Sequence, residues 1–219
     1  IYDVIFRISN NDVAFKYKIY PQGETLSCVV KQEVTGFAFP DGTTTFLCPQ
    51  SKPMGGFART SPSYETSYTA DDVAGKNGWG EGYTFPCLFR NGDNGWVLVS
   101  ETGVNGGYCA SRLLGHKGGV YTIGFPQEGE ANGNGTVSPG IALPGETPWR
   151  TITVGKTLAP IVETTVPFDV VKPLYPAKGE YTYGRGSWSW IIGMDGSTNY
   201  KEQLRYIDFS AAMGYQSVL

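Results

Sequence analysis

Short runs in which apolar and polar residues alternate predict that β-strands dominate the first part of the chain. Residues 1–8 alternate in this way, the turn-forming residues 10–12 follow them, and a second run occupies residues 13–20. This arrangement is typical of a β-hairpin with a three-residue loop. Strand patterns continue downstream, at residues 26–34, 36–39, 43–48 and 96–100.

The segment 91–95 is rich in asparagine and glycine and predicts a tight hairpin turn before the last of these strands, because these residues tolerate positive φ angles. Clustered acidic and amide side chains can also form a calcium loop. This segment, however, lacks the alternating ligands and the terminal glutamate of an EF-hand. We therefore interpret it as a turn.

A long segment at residues 49–82 interrupts the strand pattern and is rich in glycine, serine, threonine and proline. Segments of this length are uncommon as simple connections and are usually functional or packed as a surface lobe. Its interspersed aromatic residues are Phe57, Tyr64, Tyr68 and Trp79. They could stack on the faces of sugar rings, or they could only anchor the segment to the rest of the domain.

The last part of the chain has the pattern of a β-strand, an α-helix and a second β-strand. Residues 187–192 form an aromatic and β-branched run bounded by glycines, which predicts a buried strand. Leu204, Ile207 and Ala211 follow at helical spacing, and Gly214 is placed to end that helix in a left-handed conformation. Such a βαβ unit is expected to have parallel strands and a right-handed crossover.

A single βαβ unit cannot bury both faces of its sheet, so we expect it to open an α/β domain that continues beyond the last residue. The first residue, Ile1, lies inside an apparent strand and is not a methionine, so the start of the sequence also looks cut. The lack of a signal peptide in this sequence therefore carries no information about the whole protein.

Composition narrows the functional classes. The 219 residues include 30 glycines and 14 prolines, and 14% are aromatic whereas 17% are charged. This profile fits a turn-rich β protein better than a disordered chain or a helical bundle. The net charge of −3 and the lack of a basic stripe argue against nucleic acid or an anionic membrane as a partner. No run approaches the roughly 18 apolar residues that a membrane helix requires.

Cysteine and histidine positions give little support to zinc binding or nucleophilic catalysis. Cys28, Cys48, Cys87 and Cys109 include no Cys-x-x-Cys pair, which argues against a structural zinc site and leaves both free thiols and disulfides open. His116 is the only histidine, so neither a catalytic triad nor a histidine-rich metal site is expected.

Glu101 is the candidate functional acid of the β region. It follows the apolar run 96–100 and precedes a glycine-rich loop. A carboxylate at the end of a buried strand is presented at a rim on a rigid element, as metal or catalytic geometry requires. The alternative is an ordinary rim glutamate in a salt bridge.

Three stretches resemble glycoside hydrolase family 97, the α-glucosidases and α-galactosidases typical of gut Bacteroidetes. The Trp-Ser-Trp sequence at 188–190 and the segment 206–215 look like the start of the catalytic barrel of that family. Residues 13–17 resemble a segment that the family has at the same place, and residues 148–155 resemble its last sandwich strand.

The resemblance implies a mainly β fold, with an antiparallel β super-sandwich, similar to galactose mutarotase, over residues 1–160. Its amino-terminal part would be missing. Several prolines then mark a linker, which we place at residues 161–184. The first βαβ unit of a truncated (β/α)8 barrel would occupy residues 185–219.

The resemblance also implies a calcium-dependent, exo-acting α-glycoside hydrolase, an α-glucosidase or α-galactosidase, that acts on oligosaccharides or other α-glycosides in the bacterial periplasm or outside the cell. Glu101 would supply one calcium ligand, and the sandwich would form a wall of the active site. Trp188 and Trp190, near the carboxyl end of the first barrel strand, would bind substrate by stacking, or they would fill the barrel. The catalytic acid and the base or nucleophile would lie beyond Leu219.

The sequence leaves open whether such an enzyme inverts or retains configuration, whether it prefers glucose or galactose, and its oligomeric state. A noncatalytic carbohydrate-binding β-sandwich is the alternative, and loss of hydrolysis on calcium chelation would favour the enzyme. A sugar mutarotase is a third hypothesis. The single histidine argues against it, because that chemistry typically combines a histidine and a carboxylate.

Overall fold

The computed structural model describes residues 1–50, 82–117, 119–133, 135–175 and 178–219. The aromatic residues of the long segment, Phe57, Tyr64, Tyr68 and Trp79, lie outside these ranges. The described residues form two compact units, Ile1–Lys172 and Pro173–Leu219. Within these ranges no helix combines the length and the apolar composition needed to cross a membrane.

The first unit consists mainly of β-strands. They are β1 (Tyr2–Ile8), β2 (Asp12–Ile19), β3 (Ser27–Val29), β4 (Gly36–Ala38), β5 (Thr44–Pro49), β6 (Tyr83–Arg90), β7 (Trp96–Thr102), β8 (Arg112–Lys117), β9 (Val120–Gly124), β10 (Gly140–Ala142), β11 (Gly145–Glu146) and β12 (Trp149–Gly155). Two short helices follow, α1 (Ala159–Glu163) and α2 (Val166–Val170).

Ten of the strands form one sheet in the order β1-β2-β12-β7-β6-β8-β9-β4, with β11 beside β2 and β5 beside β6. Its strand pairs are antiparallel. The prediction of a mainly β, antiparallel fold is therefore confirmed. A short 3-10 turn at Gly92–Asn94 joins β6 to β7, so the asparagine-glycine segment forms the predicted hairpin turn.

The first predicted hairpin is confirmed, whereas one predicted strand is much too long. β1 pairs with β2 along its whole length, from Tyr2 opposite Ile19 to Ile8 opposite Val13. The prediction for residues 26–34 is wrong beyond the three residues of β3. The reason is that, within the described ranges, β3 pairs only with β10, which is equally short, so the hydrogen-bonded ladder ends with it.

The main hydrophobic core of the first unit lies on strands β4 to β9. It consists of Phe37, Leu47, Tyr83, Cys87, Phe89, Val99, Leu113, Tyr121 and Ile123. A smaller cluster joins Ala14, Trp149 and Val166. Because Val166 belongs to α2, part of the segment assigned to the linker 161–184 packs against the sheet of the first unit.

The second unit contains β13 (Gly186–Ser187), α3 (Trp190–Gly193), α4 (Tyr200–Ala212) and β14 (Ser217–Val218). β13 and β14 pair in parallel, as predicted for a βαβ unit. Asn199 caps the start of α4, since its Oδ1 accepts a hydrogen bond from Glu202 N at 3.1 Å. Gly214 follows the helix with a φ of +67°, which confirms the predicted left-handed end.

The predicted strand at residues 187–192 is wrong after its first residue. Ser189 O accepts hydrogen bonds from the backbone nitrogens of Ile192 and Gly193 at 3.2 and 3.0 Å, which closes a helical turn. The buried Ser189 hydroxyl also accepts a bond of 2.6 Å from Gln203 Nε2 on α4. A short apolar run is compatible with either a strand or a helix, and here these contacts decide for the helix.

Candidate functional site

The centre of the ten-stranded sheet contains a buried arginine beside an acid. β12 and β7 are neighbours, and their register places Arg150 directly opposite Glu101. The Arg150 side chain is 0% exposed and that of Glu101 is 10% exposed. A buried guanidinium needs carboxylate partners to offset the loss of hydration, so this pairing is what allows an arginine to occupy the strand.

Arg150 holds two carboxylates at once. Its Nη1 donates to Glu101 Oε2 at 2.5 Å, whereas Nε and Nη2 donate to Glu33 Oε1 and Oε2 at 2.9 and 2.6 Å. Burial alone would lower the pKa of Arg150, but the hydrogen bonds and negative charges of Glu33 and Glu101 outweigh it and raise that pKa. One positive charge thus faces two negative ones.

Ser111 completes the surroundings of Glu101. The Ser111 backbone nitrogen donates to Glu101 Oε1 at 3.0 Å, and its hydroxyl donates to Glu101 Oε2 at 2.5 Å. Arg150 Nη1 also donates to the Ser111 hydroxyl at 2.8 Å. The Glu101 carboxylate is therefore fixed in one orientation. It lies at the carboxyl end of β7, one residue before the strand ends at Thr102, as the sequence predicted.

The carboxylate of Glu101 fits the role of one calcium ligand. Among the described residues its Oε1 accepts one hydrogen bond, from Ser111, which leaves acceptor capacity on that oxygen. Carboxylates that ligate metals are commonly oriented by hydrogen bonds of this kind. Calcium takes about six to eight oxygen ligands, and the part of the chain that the structure describes contains no group of three acidic, histidine or cysteine side chains suited to a metal. Any further acidic ligands would come from elsewhere.

A second line of hydrogen bonds runs from Glu33 to the surface. Thr35 Oγ1 donates its only proton to Glu33 Oε1 at 2.8 Å. The 2.9 Å bond between Thr35 and Tyr17 must then have the Tyr17 hydroxyl as its donor. Thr35 and Glu33 are buried. The direction of these bonds leaves the Tyr17 oxygen as an acceptor.

Trp188 and Trp190 lie together in the second unit. Their ring centroids are 5.8 Å apart and their planes are inclined by 20°, so the rings stack on each other. Trp188 is 48% exposed and Trp190 36% exposed. Trp190 Nε1 donates to Asp195 Oδ1 at 3.1 Å. Two partly exposed, parallel indoles form an aromatic surface on which a sugar ring could pack.

The structure thus places the predicted residues in two groups. Glu101 joins Arg150, Glu33 and Ser111 in the first unit, and the two tryptophans form a pair in the second. Sequence reasoning missed Glu33 and Arg150. The sequence did contain a signal for Arg150, because a charged residue inside a strand of mainly β-branched residues requires a buried partner.

Comparison with protein families supports the resemblance seen in the sequence. The chain matches the family described as Glycosyl-hydrolase 97 N-terminal over residues 2–173. A search among curated proteins gives no match.

Solved structures match the chain along almost its whole length. A crystal structure of a beta-arabinopyranosidase shares 61% identity and a TM-score of 0.87, covering 99% of this chain and 35% of that protein. A Glycoside Hydrolase Family 97 enzyme from Pseudoalteromonas sp. strain K8, solved with acarbose, shares 22% identity and a TM-score of 0.71, covering 99% of this chain and 32% of that one. A variant of a family 97 enzyme from the same strain, solved with panose, has a TM-score of 0.72 at 22% identity, covering 99% of this chain and 32% of that one. The chain therefore spans about a third of the length of these relatives.

Proposed function

The chain belongs to glycoside hydrolase family 97, and on this premise we propose that it is part of an enzyme that hydrolyses glycosides of pyranose sugars. The observation that carries the proposal is the 61% identity with the beta-arabinopyranosidase over 99% of this chain. We assign neither the catalytic acid nor the base or nucleophile to residues of this chain. A periplasmic or extracellular location stays a prediction.

We propose that the preferred substrate has the ring configuration of galactose. In a β-L-arabinopyranoside every ring carbon has the configuration that it has in an α-D-galactopyranoside, and only the exocyclic C6 group is missing. With arabinose taken in the L series, the name of the similar enzyme describes the same arrangement of ring hydroxyls as an α-galactosidase, which is one of the two activities that the resemblance implies. Neither describes glucose, in which the hydroxyl at C4 is inverted. This favours galactose over glucose configuration.

Glu101 is the residue through which this chain would contribute to hydrolysis of the glycoside. We propose it as one ligand of a calcium ion, oriented by Arg150 and Ser111. A bound calcium ion would stabilise negative charge that develops during glycoside cleavage. The contribution of this chain is to hold Oε1 of Glu101 at a fixed position beside Arg150 and Ser111.

The tryptophan pair is proposed to bind the substrate. Its partly exposed indole faces can cover the C–H face of a pyranose, and the Trp190 hydrogen bond to Asp195 holds one ring in place. What supports this role is the exposure and parallel stacking of the two rings.

Measuring sugar release by the enzyme that carries this chain tests the proposal. We expect hydrolysis of a nitrophenyl β-L-arabinopyranoside, and a decrease in rate when calcium is removed by a chelator. Binding of the glycoside without release of nitrophenol would contradict the enzyme and support the noncatalytic carbohydrate-binding module. Hydrolysis that is indifferent to the chelator would contradict only the calcium proposal.

A further inference from the structure

The two acids bound by Arg150 contact different nitrogens of its guanidinium. Nε and Nη2 donate to Glu33 at 2.9 and 2.6 Å, whereas Nη1 donates to Oε2 of Glu101 at 2.5 Å. The other oxygen of Glu101, Oε1, accepts a bond of 3.0 Å from the Ser111 backbone nitrogen. Glu33 can therefore act on the Glu101 carboxylate through the arginine that they share.

The three side chains carry one net negative charge, because two carboxylates share a single guanidinium. Arg112, which follows Ser111 in the chain, does not change this balance, since it pairs with Glu130. Among the side chains that the structure describes, no other cation forms an ion pair with Glu33 or Glu101. The excess negative charge is therefore not cancelled within the described part of the chain.

This charge is buried. The exposed fraction of the side chain is 0% for Arg150, 5% for Glu33 and 10% for Glu101. Charges that are shielded from water interact more strongly than charges at a surface, and dissolved salt screens them less. Removing the charge of Glu33 should therefore change the attraction between Glu101 and a cation.

Without Glu33, the guanidinium of Arg150 would face Glu101 alone, and a calcium ion would meet a neutral ion pair. Calcium affinity depends on how many charged ligands a site offers. Yet Arg150 also fixes the orientation of Glu101 through Oε2. A second acid on the same arginine allows Glu101 to be held firmly and still to carry charge towards a cation.

We propose that Glu33 is a positioning residue of the calcium site that acts through Arg150: it offsets the positive charge of the guanidinium, so that Glu101 is oriented by an arginine and still attracts the ion. This inference rests on the proposed calcium role of Glu101. The alternative is that Glu33 only completes the pairing of a buried arginine and so stabilises the sheet.

Calorimetric calcium titration of Glu33→Gln, in the enzyme that carries this chain, tests the proposal. Glutamine keeps the size of the side chain and can still accept a hydrogen bond from Arg150, but it has no charge. We expect the calcium Kd to rise about tenfold or more, because the charge around the ligand is reduced. The matched control is Thr35→Val, which removes a 2.8 Å hydrogen bond to Glu33 in the same buried cluster and leaves every charge in place. Its Kd should stay within about twofold of the unaltered value.

A double variant, Glu33→Gln combined with Arg150→Gln, separates the electrostatic role from the structural one. Glu101 is then the remaining charge of the cluster, and Ser111 still binds both of its oxygens. The calcium Kd should return to within about threefold of the unaltered value, because the net charge of the cluster is again −1. If Glu33 were a direct calcium ligand or only a support of the fold, the double variant would bind calcium at least as weakly as Glu33→Gln.

Circular dichroism checks that each variant is folded. An equal calcium Kd in Glu33→Gln and the unaltered enzyme would overturn the proposal, and so would a double variant that binds calcium no better than Glu33→Gln. If Glu33→Gln does not fold, the double variant decides by comparison with the unaltered enzyme, and a Kd raised more than about threefold overturns the proposal. These outcomes leave the calcium role of Glu101 intact. If the unaltered enzyme binds no calcium, that role fails as well.

Discussion

Arg150 donates a 2.5 Å hydrogen bond to Glu101 across two neighbouring strands in the interior of the sheet. The same guanidinium donates two further hydrogen bonds to Glu33. The planar, forked geometry of arginine makes this double engagement possible, and lysine could not reproduce it. Arg150, a buried residue of the sheet, thus sets the orientation of the Glu101 carboxylate.

Replacing Arg150 should destabilise the first unit severely. Arg150→Met leaves Glu33 and Glu101 without their cation in a buried environment, and breaking such a pair costs about 3–5 kcal/mol of unfolding free energy. Urea denaturation followed by circular dichroism measures this loss. Arg205→Ala, which removes an exposed pair with Glu202, is the control and should cost less than about 1 kcal/mol. Equal costs for the two variants would contradict the central role of the buried pair.

Glu101→Gln should separate the calcium role from the structural one. The amide keeps the size of the side chain but removes its charge, so the enzyme that carries this chain should lose calcium affinity and turnover while remaining folded. Calorimetric calcium titration and a hydrolysis assay measure both effects.

The control is Glu130→Gln, because Glu130 is also a buried acid bonded to an arginine, Arg112, in the same unit. It should retain calcium affinity and turnover. If Glu101→Gln also retained both, Glu101 would be only the ion-pair partner of Arg150.

The reactivity of Cys109 should depend on folding. Burial, and secondarily the charge of Glu101, raise the pKa of this thiol from 9.0 to about 11. The folded chain then keeps a proton that the unfolded chain releases, so this group makes stability fall as the pH rises from 9 towards 11. The alkylation rate of Cys109, followed by peptide mass spectrometry, should reach its midpoint about two pH units higher in the folded chain than in urea. Coincident midpoints would contradict the burial of the thiol.

Trp188→Ala should weaken substrate binding more than it slows turnover. Removing an aromatic surface that contacts substrate should raise KM about fivefold or more in the enzyme that carries this chain, with kcat nearly unchanged. Tyr183→Ala removes another exposed aromatic side chain of the second unit and is the control. An unchanged KM in Trp188→Ala would assign the tryptophans to packing.

Local sequence patterns were sufficient to predict the secondary-structure elements whose partners are close in the chain. The hairpin of β1 and β2 and the helix α4 follow from alternation, helical spacing and the glycine at position 214. The prediction of a strand over residues 187–192 failed because hydrogen bonds decide the conformation there. The Ser189 hydroxyl accepts them from Gln203 on α4 and from Ser197 in the turn before that helix. Such contacts do not appear in a short apolar pattern.

The candidate site around Arg150 could be predicted only in part, because it too depends on contacts between residues that are far apart in the sequence. Glu101 is visible in the sequence as an acid that follows an apolar run. Glu33 is not, because the run that contains it looked like a strand and the partner that buries it, Arg150, is 117 positions away. The cross-strand register of β7 and β12 places Arg150 opposite Glu101. Only the side-chain contacts of the folded chain show that the same guanidinium also binds Glu33.

Substrate discrimination tests the central claim most directly. We predict that the enzyme that carries this chain has a kcat/KM for a nitrophenyl β-L-arabinopyranoside at least about a hundredfold above that for the α-D-glucopyranoside, because a site built for one orientation of the C4 hydroxyl leaves its polar groups unpaired with the other. The α-D-galactopyranoside should fall between them. A preference for the glucopyranoside, or hydrolysis of none of the three, would contradict the account.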